Sequence, residues 1–296
     1  MLGTFAALAP VLAGLTCGWW LRHAGVARAS DGRFLLLLNL YVCMPALVLR
    51  SLPEVQLTKE VVVFPVAAAV MVAVGYVAGR AASRHLQRSE AAVVVMAFMV
   101  VNVAFALPFV EAVYGAAGVA RLAAFDAVNN VLVLTVVNGL AARANPSPAA
   151  RRSLTRQVLR TPPVYATVVG VALSLTNTPL PDAAANLASP FAAASPVLIA
   201  VGAGALLRPT RHALGRAGRL AAGRLLVGGV VAVCLVVVLG FDGVDAGVLL
   251  LLGIAPLGFV TVTFASQQGL DADLATQALA LSVAASSVLC LVLVLV

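Results

Sequence analysis

Charge is what this sequence has least of. Only 10% of its 296 residues are charged and 62% are hydrophobic, where an ordinary soluble domain has about a quarter charged. That scarcity excludes a water-soluble globule and makes lipid the solvent for most of the chain. The three histidines, His23, His85 and His212, all fall between apolar runs, which excludes an intramembrane histidine relay. The four cysteines, Cys17, Cys43, Cys234 and Cys290, lie inside apolar runs without metal or redox spacing, so they read as small packing residues. No two acidic residues approach each other within an apolar run, which argues against an intramembrane transferase holding a divalent metal at phosphate. No nucleotide-binding loop or nucleophile motif is present. The chain is therefore expected to be no enzyme and to carry neither cofactor nor metal.

The net charge of +8 invites a nucleic-acid reading. However, the arginines form short clusters between apolar runs and have few aromatics among them. That is the pattern of loops lying against an anionic membrane face, and no nucleic-acid partner is expected. Met1 to Trp20 lacks a basic leader, so the first run reads as a retained span rather than a cleaved signal.

A span needs roughly 20 apolar residues. Runs and breakers place ten, near 4–21, 34–49, 60–79, 90–110, 119–140, 162–180, 187–207, 217–239, 246–265 and 272–295. Sixteen of the 19 basic residues fall in loops on one side, including Arg80, Arg84, Arg88 and the run Arg208, Arg211, Arg216, Arg219 and Arg224. The other side holds Arg50, Lys59 and Arg121. Basic residues near span ends mark the cytoplasm, so a multi-pass protein of the cytoplasmic membrane with both termini outside is expected. The Arg-rich stretch 142–161 then divides the chain into five-helix repeats, 1–141 and 162–296. Five is odd, so homologous halves would be inverted relative to each other. Pro10 and Gly18 recur as Pro162 and Gly170, and Pro45 as Pro196, in support of that register.

Two runs are interrupted near their middles. One proceeds from Val93 through Asn102 to Pro108; the other reaches Ile254-Ala255-Pro256-Leu257-Gly258. Breakers at bilayer depth are tolerated where protein or a wet cavity satisfies the freed backbone, and paired interruptions in two halves point to a transporter's binding site. Pro45, Pro108, Pro196 and Pro256 are the expected helix breaks. Beyond each interruption a half-helix would present unpaired amides and a positive dipole end, an anion site that needs no buried cation. Taken singly, Pro256 also fits a simple kink, and Asn102 a bond to a neighbouring helix.

Asp126, Asn129 and Asn130 share one helical face, and Asp126 is the one acidic residue well inside a span. An intramembrane carboxylate is costly and by default marks an ion pathway or proton relay. Asp126 is the expected proton-coupling residue, unless Arg121, five residues away, pairs with it. Asn39 either lines the cavity or bonds a neighbour. Gly14/Gly18 and Gly75/Gly79 read as close-packing pairs, and Ser282 and its neighbours as packing donors.

These stretches resemble the auxin efflux carrier family, which includes bacterial permeases for malate and related anions. The resemblance runs through Leu40-Tyr41-Val42-Cys43-Met44-Pro45-Ala46-Leu47, Asn102 to Pro108, Tyr114-Gly115, Phe125-Asp126-Ala127-Val128-Asn129-Asn130 and Arg160-Thr161-Pro162-Pro163. It continues through Ser195-Pro196-Val197-Leu198-Ile199-Ala200-Val201-Gly202 and from Ala255-Pro256 to Gln268-Gly269-Leu270-Asp271. Ala104 and Ala106 stand where relatives often carry glycine. The resemblance implies an all-α membrane protein of ten helices in two inverted repeats, its fourth and ninth helices broken and crossing, as in bile-acid and sodium–proton carriers. It further implies an elevator-type secondary transporter of a small organic anion and a homodimer. Asn102 would contact a carboxylate, with Asn129, Asn130 and Asn39 nearby and Pro256 at the crossover. A drug/metabolite-type ten-helix exporter is the alternative; its termini would face the opposite way.

Overall fold

A computed structural model describes residues 2–51, 53, 63–145, 147, 162–176, 178–206 and 211–295. Its elements are helical throughout. They are α1 (Leu2–His23), α2 (Ala29–Leu38), α3 (Met44–Ser51), α4 (Val63–Ala82), α5 (Arg88–Met99), α6 (Val103–Leu132) and α7 (Asn138–Ala144). After the stretch 148–161, which lies outside the described residues together with most of the expected linker, come α8 (Pro162–Leu175), α9 (Asp182–Leu206), α10 (Arg211–Leu239), α11 (Gly243–Gly253), α12 (Phe259–Gln267) and α13 (Ala272–Leu295).

Among the described residues, six helical stretches are long and apolar enough to cross a membrane: Ser30–Arg50, Val63–Ala82, Ala117–Ala144, Asp182–Leu206, Gly215–Leu239 and Ala272–Cys290. Val103–Gly115 and Gly243–Gly253 are apolar but shorter. The chain is a multi-pass membrane protein.

The amphipathic phase of each helix says what it packs on. In α4, Phe64, Ala68, Met71, Gly75 and Gly79 are buried at helical spacing. A Cβ on Gly75 would overlap the Phe98 carbonyl, and one on Gly79 would lie 2.8 Å from the Val95 Cα. This pair therefore lets the α4 backbone touch α5. Gly14 and Gly18 do the same for α1 on α9, where a Gly14 Cβ would sit 2.8 Å from the Ala200 Cβ. Both pairs act as the packing motifs their spacing implies.

At the centre lie short helices enclosed by protein along most of their length. In α5 every residue from Val93 to Met99 is buried, and in α12 so are Phe259 and Thr261 through Ala265. Enclosure by protein is the condition under which irregular backbone survives at membrane depth.

Three of the four expected proline breaks are not breaks. Pro108 lies inside α6 and Pro196 inside α9; each removes one backbone bond, and its helix continues. At Pro45 the chain passes from a π-helical turn (Asn39–Cys43) straight into α3. The wider turn gives the ring room against the carbonyl four residues back. Of the four, Pro256 alone lies in non-helical backbone, between α11 and α12. A further discontinuity falls at Gly115, whose φ of 56° bends α6 in two, a conformation that favours glycine.

Candidate functional site

The first interruption comes before Pro108, at Val100–Asn102. Val100 leaves α5 in extended conformation (φ −84°, ψ 121°) while its N–H still bonds the Met96 carbonyl. Asn102 then caps α6: its Oδ1 accepts from the Phe105 N–H at 3.3 Å. The Nδ2 of the same side chain donates to the Leu257 carbonyl at 2.9 Å. Thus one asparagine starts its own half-helix and ties down the other break.

The second interruption runs from Ile254 to Gly258. Pro256 has no N–H to give the Leu252 carbonyl, which accepts from the Ala255 N–H at 3.3 Å instead. The Leu257 N–H is taken by Ser282 Oγ at 3.1 Å, and Val101 and Leu257 form an isolated antiparallel bridge. A Cβ on Gly258 would overlap the Val100 side chain. The two breaks therefore touch, backbone against backbone.

Around this contact lies a cavity of about 90 Å³. Val103 and Ala104, in the first turn of α6, line it together with Phe259 and Val260, in the first turn of α12. Two helix amino ends thus open on one space, which favours negative charge there. Asp126, Asn129 and Asn130 line it too, with Asn102 and Ser195. Asn129 donates to Asp126 at 3.2 Å and to the Val101 carbonyl at 3.4 Å, while Asn130 donates to the other Asp126 oxygen at 2.9 Å. The Asn129 Oδ1 is buried without a partner among the described residues.

The structure brings Asn102, Asp126, Asn129 and Asn130 together and leaves two expected residues outside. Pro256 is buried but does not line the cavity; Gly258 through Val260 do. Asn39 is also buried behind the wall, where its Oδ1 accepts from Ser195 Oγ at 2.7 Å. Of its two possible roles it takes the bond to a neighbouring helix. Arg121 does not pair with Asp126; it forms an ion pair with Asp245 of α11 and bonds the Ala117 carbonyl at 3.0 Å.

Two residues escaped the sequence. Ser282 is one of several serines in its run, and nothing local marks it as the partner of Leu257. Arg224 stands in sequence beside the loop arginines Arg216 and Arg219, yet it is fully buried in α10 and its Nη1 donates to the Gly253 carbonyl at 3.3 Å, where α11 stops. The helix carboxyl end attracts a cation, and Gly228 makes the room, since a Cβ there would overlap the guanidinium. Losing Arg224 from the loop count leaves the charge asymmetry intact.

A family model described as "Membrane transport protein" matches residues 4–294. The chain belongs to that family, the auxin efflux carriers. A relative from Methanothermobacter thermautotrophicus, described as an uncharacterized transporter, is 24% identical over 290 residues, covering 95% of this chain and 94% of its own. The resemblance read from the scattered motifs therefore holds over nearly the whole length. The drug/metabolite alternative gives way to it.

Proposed function

We propose that the protein is a secondary transporter that carries a small organic anion across the cytoplasmic membrane, with a proton bound at Asp126. The observation that carries this is the meeting of two half-helix amino ends at one cavity lined by Asn102, Asn129 and Asn130, beside a lone carboxylate. The amide ends and Asn102 would hold the substrate carboxylate. The unpartnered Asn129 Oδ1 suits a hydroxyl or other donor on the same solute, and a cavity of about 90 Å³ favours one of few non-hydrogen atoms. An anion and an ionised Asp126 in so small a space repel each other, and a proton carried with the anion removes that repulsion.

In this reading the chain forms ten spans in two inverted repeats, 1–141 and 162–296, joined by a cytoplasmic linker at 142–161, and both termini lie outside. The half-helices would move as one body, elevator-fashion, against the helices that supply Met44 and Ile199 to the cavity lining.

The test is a thermal-shift screen of purified protein against mono- and dicarboxylates, followed by uptake of the hits into proteoliposomes. Saturable uptake that Asn102→Ala abolishes is expected. A folded protein that neither binds nor moves any carboxylate would sink the anion reading. A reporter active only in the cytoplasm, fused at the C-terminus, should stay silent.

A further inference from the structure

A second cavity, of about 500 Å³, shares no residue with the first. It opens where α4 ends, α5 begins and α7 finishes. Four arginines line it: Arg80, Arg84, Arg88 and Arg143. All four are exposed, and no carboxylate stands among the lining residues. Glu90, the nearest acid in sequence, is turned toward Arg216 at 3.3 Å. Among the described residues no carboxylate pairs with any of the four.

Scattered loop arginines account for membrane orientation but not for this convergence. The Arg88 guanidinium donates to the Arg143 carbonyl, which fixes α5 against α7 and draws two of the charges together. The first turn of α5 contributes Arg88 and Ala91 to the lining. Its N-cap, Gln87, supplies no side-chain bond to the helix amides. An amino end and four guanidinium groups around one space form a strong receptor for a multiply oxygenated anion.

The surface beside the cavity says where that anion comes from. Val66, Ala69, Ala73 and Val77 are exposed along one face of α4, and the strip ends at Arg80. An apolar lane leading to a basic pocket matches a lipid, with acyl chain along the helix and headgroup among the arginines. We propose that this cavity holds a phosphate group, presented by the headgroup of an anionic phospholipid.

Native mass spectrometry of the full-length protein, titrated with phosphatidylglycerol and separately with phosphatidylcholine, tests this. Retained phosphatidylglycerol adducts are expected, with apparent affinity falling about tenfold or more in Arg80→Gln/Arg84→Gln, the scale of one or two lost charge-assisted contacts. The control Arg28→Gln/Arg219→Gln removes the same charge elsewhere and should change affinity less than about twofold. Melting temperatures of both variants report whether they are folded. Equal losses in the two variants, or phosphatidylcholine bound as tightly as phosphatidylglycerol, would overturn the site. Glycerol phosphate supplies the soluble arm: if it displaces the lipid at matched concentration, the membrane source is wrong and the ligand is a phosphate from solution. Neither readout depends on transport, so the outcome is separate from that of the carrier proposal.

Discussion

The two breaks at the centre of this protein solve one problem by different means. At Val100–Asn102 the solution is local: Asn102 caps the helix that follows it and bonds across to Leu257. At Ile254–Gly258 the solution is borrowed. Gly258, which caps α12, offers no side-chain bond, and the segment is held by Asn102 from α6 and Ser282 from α13, while Arg224 from α10 bonds the end of α11. A self-capped break is set by its own sequence. A borrowed one depends on how α10 and α13 pack, and it is where distant substitutions should act.

The largest effect is expected at Gly228, which faces neither break directly. A Cβ there would overlap both the Arg224 guanidinium and the Gly253 carbonyl, and the second of these is backbone that cannot turn aside. Gly228→Ala should force α10 and α11 apart at about 1–3 kcal/mol for overpacking, with about 1.5–3 kcal/mol more if the charged hydrogen bond is lost. A fall in melting temperature of roughly 10 °C follows, measurable by thermal unfolding in detergent. A melting curve like that of the parent would show that the borrowed break does not rest on Arg224.

Asn102→Ala should come next, because it strikes both breaks together. Loss of the cap costs about 1 kcal/mol, and an orphaned buried Leu257 carbonyl about 1–3 kcal/mol. The thermal shift given by any bound carboxylate should vanish along with this moderate loss of stability. If the shift survives, the carboxylate is held elsewhere.

What the sequence made legible was what apolar runs and short spacings encode. Where they are described, the runs lie on helix apart from the two breaks at their centres and the end of the run at 162–180. Asp126, Asn129 and Asn130 converge as their three- and four-residue spacing demands. The first break falls around Asn102, where the apolar run is interrupted in sequence, but the further break expected at Pro108 does not form: a proline announces itself and a cap does not, and the helix capped by Asn102 runs through Pro108. Arg224 was hidden by its company, Arg216 and Arg219, since only the phase of α10 and the packing of α11 decide which arginine turns inward. The pairs Arg121–Asp245 and Ser282–Leu257 join residues too distant in sequence for any local pattern to reveal.

Asp126→Asn should separate chemistry from stability. The substitution keeps one acceptor for the two asparagine amides, so about 1 kcal/mol of hydrogen bonding is lost. Melting should move by a few degrees at most. In proteoliposomes the dependence of uptake on an imposed pH gradient should disappear, while exchange of substrate across the membrane persists. Undiminished gradient-driven uptake would remove Asp126 from the coupling.

Pro256→Ala should be the mildest change, although the proline is the most visible sign of the break. Leu257 would still be bonded on both sides, by Asn102 and by Ser282, and Gly258 would still lie against Val100. The loss is then the extra freedom of the unfolded chain, about 0.4–1 kcal/mol. Ser282→Ala, which strands the buried Leu257 N–H, should cost more, about 1–3 kcal/mol. Measuring the two side by side in the same detergent decides what makes the second break. If Pro256→Ala proves the more damaging, proline geometry rather than borrowed hydrogen bonds holds the helix open, and the two interruptions are more alike than their bonding implies.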